Sequence, residues 1–547
     1  MYVVATAGHV DHGKSSLVKA LTGMEPDRWE EEQRRGLTID LGFVWTTLDS
    51  GADVAFVDVP GHEKFLGNML AGVGPAPVVL FVVAADEGWQ EQSTDHRDAL
   101  RALGVHHGVV ALTRADRADD ARRAEVIAQV RAELAGTALV DAPLVPVSAI
   151  TGEGLDALRA ELDAVLAGMP APDATARVRL WVDRAFSVKG AGTVVTGTLA
   201  AGTFAVGDEL VLGEKKVTVR GLQSENASAP SVGPVSRVAV NLRGVDAADV
   251  HRGDALLSPQ AWRMLDTVDV RRTFGSELAQ LPQNIVVHIG TAGVGARLRP
   301  LGGDYARLTL DEPLPLTLLD RFVVRSPGGR HVVAGVEIVD VNPAELNRRG
   351  DAKRRAAQLD EVSPLDPAAW LRRCGYDRVE NLVRDGFAVE NRPAGIIEFR
   401  EWWIAASQVS SWKETLLGAL KYHAETNPLS PGLPRAAAMD ALGVSEPALL
   451  GLAVAAAKVE SAEGVLRLPG QTVDLGPAEK GIAELERRLR EEPFAAPEAA
   501  DLKELGLGAK ELAAAERAGR LLRLQGGVVL LPSAPRAARR WSPSWSS

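Results

Sequence analysis

One cysteine, Cys374, stands among the 547 residues. A lone thiol excludes an intramolecular disulfide framework and any zinc site built from several cysteines. It leaves Cys374 to be read as a small buried side chain. No run approaches the ~20 consecutive apolar residues that a bilayer helix needs. No basic stretch precedes the first apolar run, so no secretory leader and no membrane association are expected, and the chain is read as cytoplasmic. Positive charge is also short: 61 basic residues against 72 acidic ones give a formal net charge of −11. That balance argues against a general nucleic-acid coat.

What is present is ordinary globular composition, 46% hydrophobic and 24% charged, enough for several cores. At ~100–200 residues per domain the length implies three to five domains. The charge is uneven. Residues 346–547 carry 28 basic and 27 acidic side chains, so the first 345 residues carry −12. From Arg517 onward there are six arginines (517, 520, 523, 536, 539 and 540) and no acid. An RNA-facing surface would therefore be local; a solvated basic tail is the plainer reading of that stretch.

Apolar runs at 2–7, 54–57, 78–84, 108–112 and 144–147 read as buried parallel strands, with helical stretches such as 121–134 between them. This is a doubly wound α/β pattern. Met169-Pro170-Ala171-Pro172-Asp173 reads as a linker. From residue 177 to about 341 the period falls to two, with short β-branched runs and glycine turns, which predicts antiparallel barrels divided near Pro259. Beyond Asn347 the pattern is helical and alanine-rich. Leu442-Gly443-Val444 and Leu505-Gly506-Leu507 lie 63 residues apart, as do Leu468-Pro469 and Leu531-Pro532. Helices followed by a short β pair with a glycine turn predict winged-helix modules, with a more divergent copy over 367–405. The fold class expected is multidomain: an α/β P-loop GTPase domain (1–170), two antiparallel β-barrels (174–260 and 261–345) and a C-terminal winged-helix arm (346–547).

Gly8-His9-Val10-Asp11-His12-Gly13-Lys14-Ser15 fits the phosphate-loop pattern, after a strand and before a helix. Its backbone N–H groups, with Ser16 at the helix start, can wrap phosphates. Lys14 supplies charge there, and Ser15 is a Mg²⁺ ligand candidate. Asp58-Val59-Pro60-Gly61 closes a second strand, where Asp58 can hold Mg²⁺ through water and Gly61 leaves its N–H open to the γ-phosphate. Thr38 stands where a threonine can ligate the metal only when that phosphate is present. Thr113-Arg114-Ala115-Asp116 and Ser148-Ala149 end two further strands. A carboxylate at Asp116 can accept from both N1–H and N2–H₂ of guanine, a donor pair that adenine lacks. Four ordered motifs predict a GTP/GDP site with Mg²⁺. His62, after Gly61, is the candidate catalytic residue that orients the attacking water. Val10 and Leu37 are placed to gate it.

These residues resemble the translational GTPases of the elongation factor Tu group. Leu21-Thr22-Gly23, Asp27-Arg28, Thr38 to Phe43, Asp58 to Gly74 and Val182 to Gly197 narrow the resemblance to the bacterial selenocysteine-specific elongation factors. The resemblance is specific to about residue 260 and looser beyond 346. It implies GTP-ordered switch loops near 27–42 and 61–74, selenocysteyl-tRNA and the ribosome as partners, and an arm that holds an mRNA hairpin beside a UGA codon. GTP hydrolysis would release the tRNA. It also implies a cationic pocket in the first barrel that prefers an anionic selenolate to a hydroxyl. Asp183, Arg184 and Arg243 map onto that pocket, with Asp183 orienting one of the arginines.

Two departures stand out. Arg114 occupies a position where the family usually has lysine, which predicts weaker nucleotide affinity with base specificity kept. The family's arm usually has four winged helices, whereas three are counted here, and Arg539 to Ser547 does not resemble a fourth. Arg520, Arg523 and the Arg536–Arg540 cluster are candidates for phosphate contacts. A monomer is expected. Two other readings stay open: a GTPase carrying another aminoacyl-tRNA, and a nucleic-acid adaptor that uses GTP only as a switch.

Overall fold

The computed structural model describes residues 2–26, 38–190, 192–361, 363–427, 429–430, 432–462, 464–470 and 475–535. Asp27-Arg28, Arg35-Gly36-Leu37, Ala191, Arg536, Arg539 and Arg540 lie outside them, and with Leu37 so does the proposed gate. The chain divides into two compact units, residues 1–367 with 380–389, and residues 368–379 with 390–547.

The first unit opens with a six-stranded sheet built from β1 (Tyr2–Ala7), β2 (Gly42–Thr47), β3 (Asp53–Asp58), β4 (Val78–Ala84), β5 (His107–Thr113) and β6 (Leu144–Pro146), in the order β2-β3-β1-β4-β5-β6. Alternate residues of one strand feed different cores. Val3, Ala5 and Ala7 join one cluster and Val4 the other, as Phe81 and Leu80 do on β4. Both faces are covered, which is why these strands read as continuous apolar runs. Burying each Val, Leu or Phe contributes about 1.5–3 kcal/mol. β2 runs antiparallel to β3 and is only half buried. Its alternating exposure hid it from a search for apolar runs. Because β1 has β3 on one side and β4 on the other, the ends of these parallel strands form a switch point where such sheets bind ligands.

Two barrels follow. In the first, strands 209–212, 255–257, 179–188, 192–199, 236–243 and 215–224 pair in turn, and 209–212 pairs again with 215–224, so the ring closes. The second is a closed six-stranded barrel within 264–340. A buried ion-pair network holds helix Asp351–Asp360 to it. Arg307 Nε lies 2.7 Å from Asp269, Arg355 Nε lies 2.8 Å from the same carboxylate, and Arg355 also pairs with Asp340. Helix Glu91–Leu103 packs on this barrel. Asp95 pairs with His331 at 2.8 Å, and the Arg101 guanidinium lies 4.7 Å from the centre of the Phe274 ring.

The second unit consists of helices and small hairpins. Helices Ala406–Thr426, Arg435–Leu442 and Pro447–Ala457 are followed by strands 460–462 and 465–467. Helices Glu479–Glu491, Ala499–Glu504 and Ala509–Arg517 are followed by strands 522–523 and 529–530. The 63-residue period maps helix ends and hairpins of one set onto the other. The hairpin 396–399/402–405 sits one further period upstream. Cys374, read as buried, is exposed at the end of helix Pro367–Cys374. Among the described residues no single helix is long and apolar enough to cross a membrane.

Candidate functional site

A cleft of about 410 Å³ opens at the strand ends of the α/β sheet. Val10, Asp11, Gly13, Lys14, Ser15 and Ser16 line it from the β1 loop. Thr38 and Gly61 line it from the two segments expected to switch, and Thr113, Arg114, Asp116, Ser148 and Ala149 from the ends of β5 and β6. Arg117 and Ile150 also line it, although neither motif marks them. Gly8 and His12 lie buried beneath the loop and Asp58 behind Ser15.

The backbone dictates the residue types. Gly8 has φ +131°, and a Cβ there would stand 2.1 Å from the Val82 carbonyl oxygen; only glycine fits. A Cβ on Gly61 would meet Lys14 Nζ and Val10 N, each at 2.5 Å. The Lys14 ammonium donates to the Gly8 and His9 carbonyls at 3.1 and 2.8 Å. Thr113 Oγ1 donates to His12 O at 2.6 Å. The Gly8 N–H donates to His96 Nδ1 and the Val10 N–H to Gln92 Oε1, both at 3.0 Å. Neither residue belongs to the nucleotide motifs named above, but both sit on the helix that follows β4, the neighbour of β1. Burial, His9 and Lys14 push His12 down to about 3, so it is neutral near pH 7. His9, half buried beside Lys14, is also lowered.

Three oxygen groups converge at the phosphate end. Ser15 Oγ donates to Asp58 Oδ2 at 2.6 Å and lies 3.0 Å from Thr38 Oγ1. Thr6 Oγ1 fixes the other Asp58 oxygen at 2.8 Å. An all-oxygen donor set suits a hard divalent cation. At the base end, Arg114 adopts φ +52°, a left-handed conformation that costs about 1–2 kcal/mol. Its guanidinium is anchored by Glu87 at 2.6 Å and donates to the Asp11 carbonyl, so the arginine braces the phosphate loop. Ser148 holds the exposed Asp116 carboxyl below its usual range. His62 lies beside Gly61, but its Nδ1 accepts the Lys64 N–H at 3.2 Å and the ring does not line the cleft.

Residues 1–168 match the elongation factor Tu GTP binding domain, and 266–345 match the β-barrel domain of selenocysteine-specific elongation factor. The chain is 34% identical to the selenocysteine-specific elongation factor of Desulfomicrobium baculatum, over 93% of this chain and 86% of that one. The chain belongs to the selenocysteine-specific elongation factor family. The Escherichia coli selenocysteine-specific elongation factor is 35% identical over 79% of this chain and 71% of its own. A crystal structure of a bacterial selenocysteine-specific elongation factor shares the fold, with a TM-score of 0.81 at 23% identity over 98% of this chain and 91% of that one. The chain is thus a GTP-binding translation elongation factor and a translational GTPase.

The three residues expected to form the selenocysteine pocket are not gathered in one place. Asp183 sits at a β-bulge on strand 179–188 and is 8% exposed. It pairs with Arg237, at 2.5 and 2.9 Å, and accepts from Thr196 Oγ1 at 2.6 Å. Burial lowers the Arg237 pKa, and its guanidinium lies 3.8 Å from the centre of the Phe43 ring. Arg184 does not pair with Asp183. It reaches Asp40 at 2.8 Å and the Leu41 carbonyl at 2.7 Å in the first switch segment. Arg243 is exposed at the far end of strand 236–243, six residues beyond Arg237. Arg243 was placed in the pocket by the family resemblance, whereas the outward alternation of that strand, Arg237-Ala239-Asn241-Arg243, offered Arg237 equally. Arg520, expected to face phosphates, is held by Glu479 at 2.6 Å and Glu486 at 2.8 Å.

Proposed function

We propose that this factor carries selenocysteyl-tRNA to the ribosome at UGA codons marked by an mRNA hairpin, and that GTP hydrolysis releases the tRNA. The observation that carries this reading is the contact between Arg184 of the first barrel and Asp40 of the first switch segment, next to the Asp183–Arg237 pair. A switch that moves with the γ-phosphate then moves the edge of the aminoacyl pocket. Arg184 and Arg237 would face the selenolate, with Asp183 orienting Arg237.

In the cleft, Lys14 exchanges loop carbonyls for the β- and γ-phosphates, and the phosphate-loop N–H groups wrap them. Asp116 reads the guanine edge, with Ser148 and Ala149 beside the base. Ser15, Thr38 and Asp58 would hold Mg²⁺, which shields the phosphate charge when bound. His62 orients the attacking water once its ring turns from the Lys64 N–H into the cleft. His62→Ala is expected to lower ribosome-stimulated hydrolysis ~10²–10⁴-fold with GDP binding retained. The repeated helix-and-hairpin sets act as winged helices, and the exposed hairpin around Arg523 presents the mRNA-binding end. The protein works as a monomer in the cytoplasm.

Ester protection tests the carrier function. The protein with GTP is mixed with selenocysteyl-tRNA, and separately with the same tRNA charged with serine, and deacylation is followed. Protection of the selenocysteyl ester alone is expected. Equal protection of both would remove the selenolate pocket, and protection of neither, with GTP bound, would remove the carrier.

A further inference from the structure

Six backbone groups of the phosphate loop are held by side chains. Lys14 takes the Gly8 and His9 carbonyls, Arg114 the Asp11 carbonyl and Thr113 the His12 carbonyl. The remaining two, the Gly8 and Val10 N–H groups, go to His96 and Gln92 on helix Glu91–Leu103. This helix lies outside every nucleotide motif of the sequence.

We propose that His96 and Gln92 are positioning residues of the GTPase: His96 fixes the root of the phosphate loop for any nucleotide, and Gln92 sets the wall against which the γ-phosphate fits. The Gly8 N–H is buried, and the Cβ side of Gly8 is filled by the Val82 carbonyl. A buried N–H without an acceptor is costly, so its acceptor decides where the loop begins. His96 is 2% exposed. Accepting at Nδ1 requires the neutral ring with its proton on Nε2. Burial, with Lys14 and His9 close by, holds His96 well below the usual histidine range and keeps that form.

Gln92 acts two peptides further on. Val10 and Gly61 both line the cleft, and a Cβ on Gly61 would stand 2.5 Å from Val10 N and 2.8 Å from Val10 Cα. The Val10 peptide therefore sets the width of the passage where the γ-phosphate and Gly61 must meet. Gln92 sets the tilt of that peptide. The helix that carries both residues is also pinned to the second barrel through Asp95 and His331, so movement of that barrel reaches the loop through the same helix.

The inference rests on reading this cleft as the GTP site, and Lys14→Ala tests that reading separately: unchanged nucleotide binding in that variant would dispose of the site itself. With the site upheld, His96→Leu should weaken GDP and GTP binding together by about tenfold. His96→Asn, which offers Oδ1 close to where Nδ1 stood, should recover to within about threefold of the parent. Gln92→Met should weaken GTP about tenfold more than GDP. Equal loss in His96→Asn and His96→Leu would overturn the role of His96, and equal loss of GDP and GTP in Gln92→Met would overturn that of Gln92. If the leucine variant does not fold, ¹⁵N-histidine NMR of the intact protein decides. A His96 Nδ1 with acceptor character that does not titrate between about pH 5 and pH 8 supports the assignment. A His96 that titrates in that range refutes it.

Discussion

The nucleotide cleft and the acid–base cluster of the first barrel are both polar sites, but they are held together by different means. The cleft is built around one loop whose peptide groups are braced by Lys14 of the next helix, by Thr113 and Arg114 at the end of β5, and by Gln92 and His96 of helix Glu91–Leu103. The barrel cluster consists of charged side chains delivered by separate strands, and its inner pair, Asp183 and Arg237, is largely removed from water. A site made of backbone tolerates exchange of its braces. A site made of buried charges does not tolerate loss of either partner.

The largest test of that contrast is Arg237→Ala. It leaves the Asp183 carboxylate buried without its cation, and breaking a buried pair costs about 3–5 kcal/mol; urea unfolding of the intact chain should read that loss. Arg184→Ala removes a half-exposed pair with Asp40 and should cost no more than about 1 kcal/mol in the same experiment. Comparable losses in the two variants would erase the distinction between inner and outer pairs. In the cleft, Asp116→Ala removes the carboxylate proposed to accept from two guanine donors. It should reduce the preference for GTP over ATP about 100-fold in competition binding, with the fold unchanged. Arg114→Ala takes away one brace and should weaken GDP binding only about tenfold. A complete loss of binding there would mean that the loop depends on a single brace.

The smallest effect is the pH response of the Asp95–His331 contact between helix Glu91–Leu103 and the second barrel. Asp95 raises the His331 pKa, and burial raises that of Asp95. A raised histidine contributes stability that is fully present below its unfolded value of ~6.5 and fades as pH climbs through the raised folded value. The melting temperature of the parent should therefore fall slightly between about pH 6 and pH 8 relative to that of His331→Ala. Parallel curves for the two proteins would show that the contact carries no pH-dependent stability.

The same contrast governs what the sequence could reveal. Gly8 to Ser15 is contiguous, and Gly8, Lys14 and Ser15 each answer to a local demand of the loop, so the place of the cleft was legible, although Arg117 and Ile150 in its lining were not. The strand runs at 2–7 and 78–84 were legible because both faces of the sheet are buried. The strand at 42–47 was not, because only one of its faces is buried. Arg237 was missed because its partnership depends on the register that sets it opposite Thr198 and within reach of Asp183. Sequence spacing does not encode that register. Gln92 and His96 left a fainter signal: two polar residues one helical turn apart, on the helix after the strand that neighbours β1. In the arm the 63-residue period survived because glycine at helix ends and in hairpin turns punctuates each copy, whereas the ion pairs of Arg520 with Glu479 and Glu486 are set by packing alone.

The network around Asp269 has a consequence for how this chain can be divided. By strand pattern the second barrel ends near residue 340, and a fragment cut soon after would look complete. Such a piece would keep Asp269 and Asp340, both shut away from solvent, and lose Arg355, which neutralises part of that charge from helix Asp351–Asp360. A fragment that keeps Asp269 and Asp340 neutralised therefore runs at least through that helix.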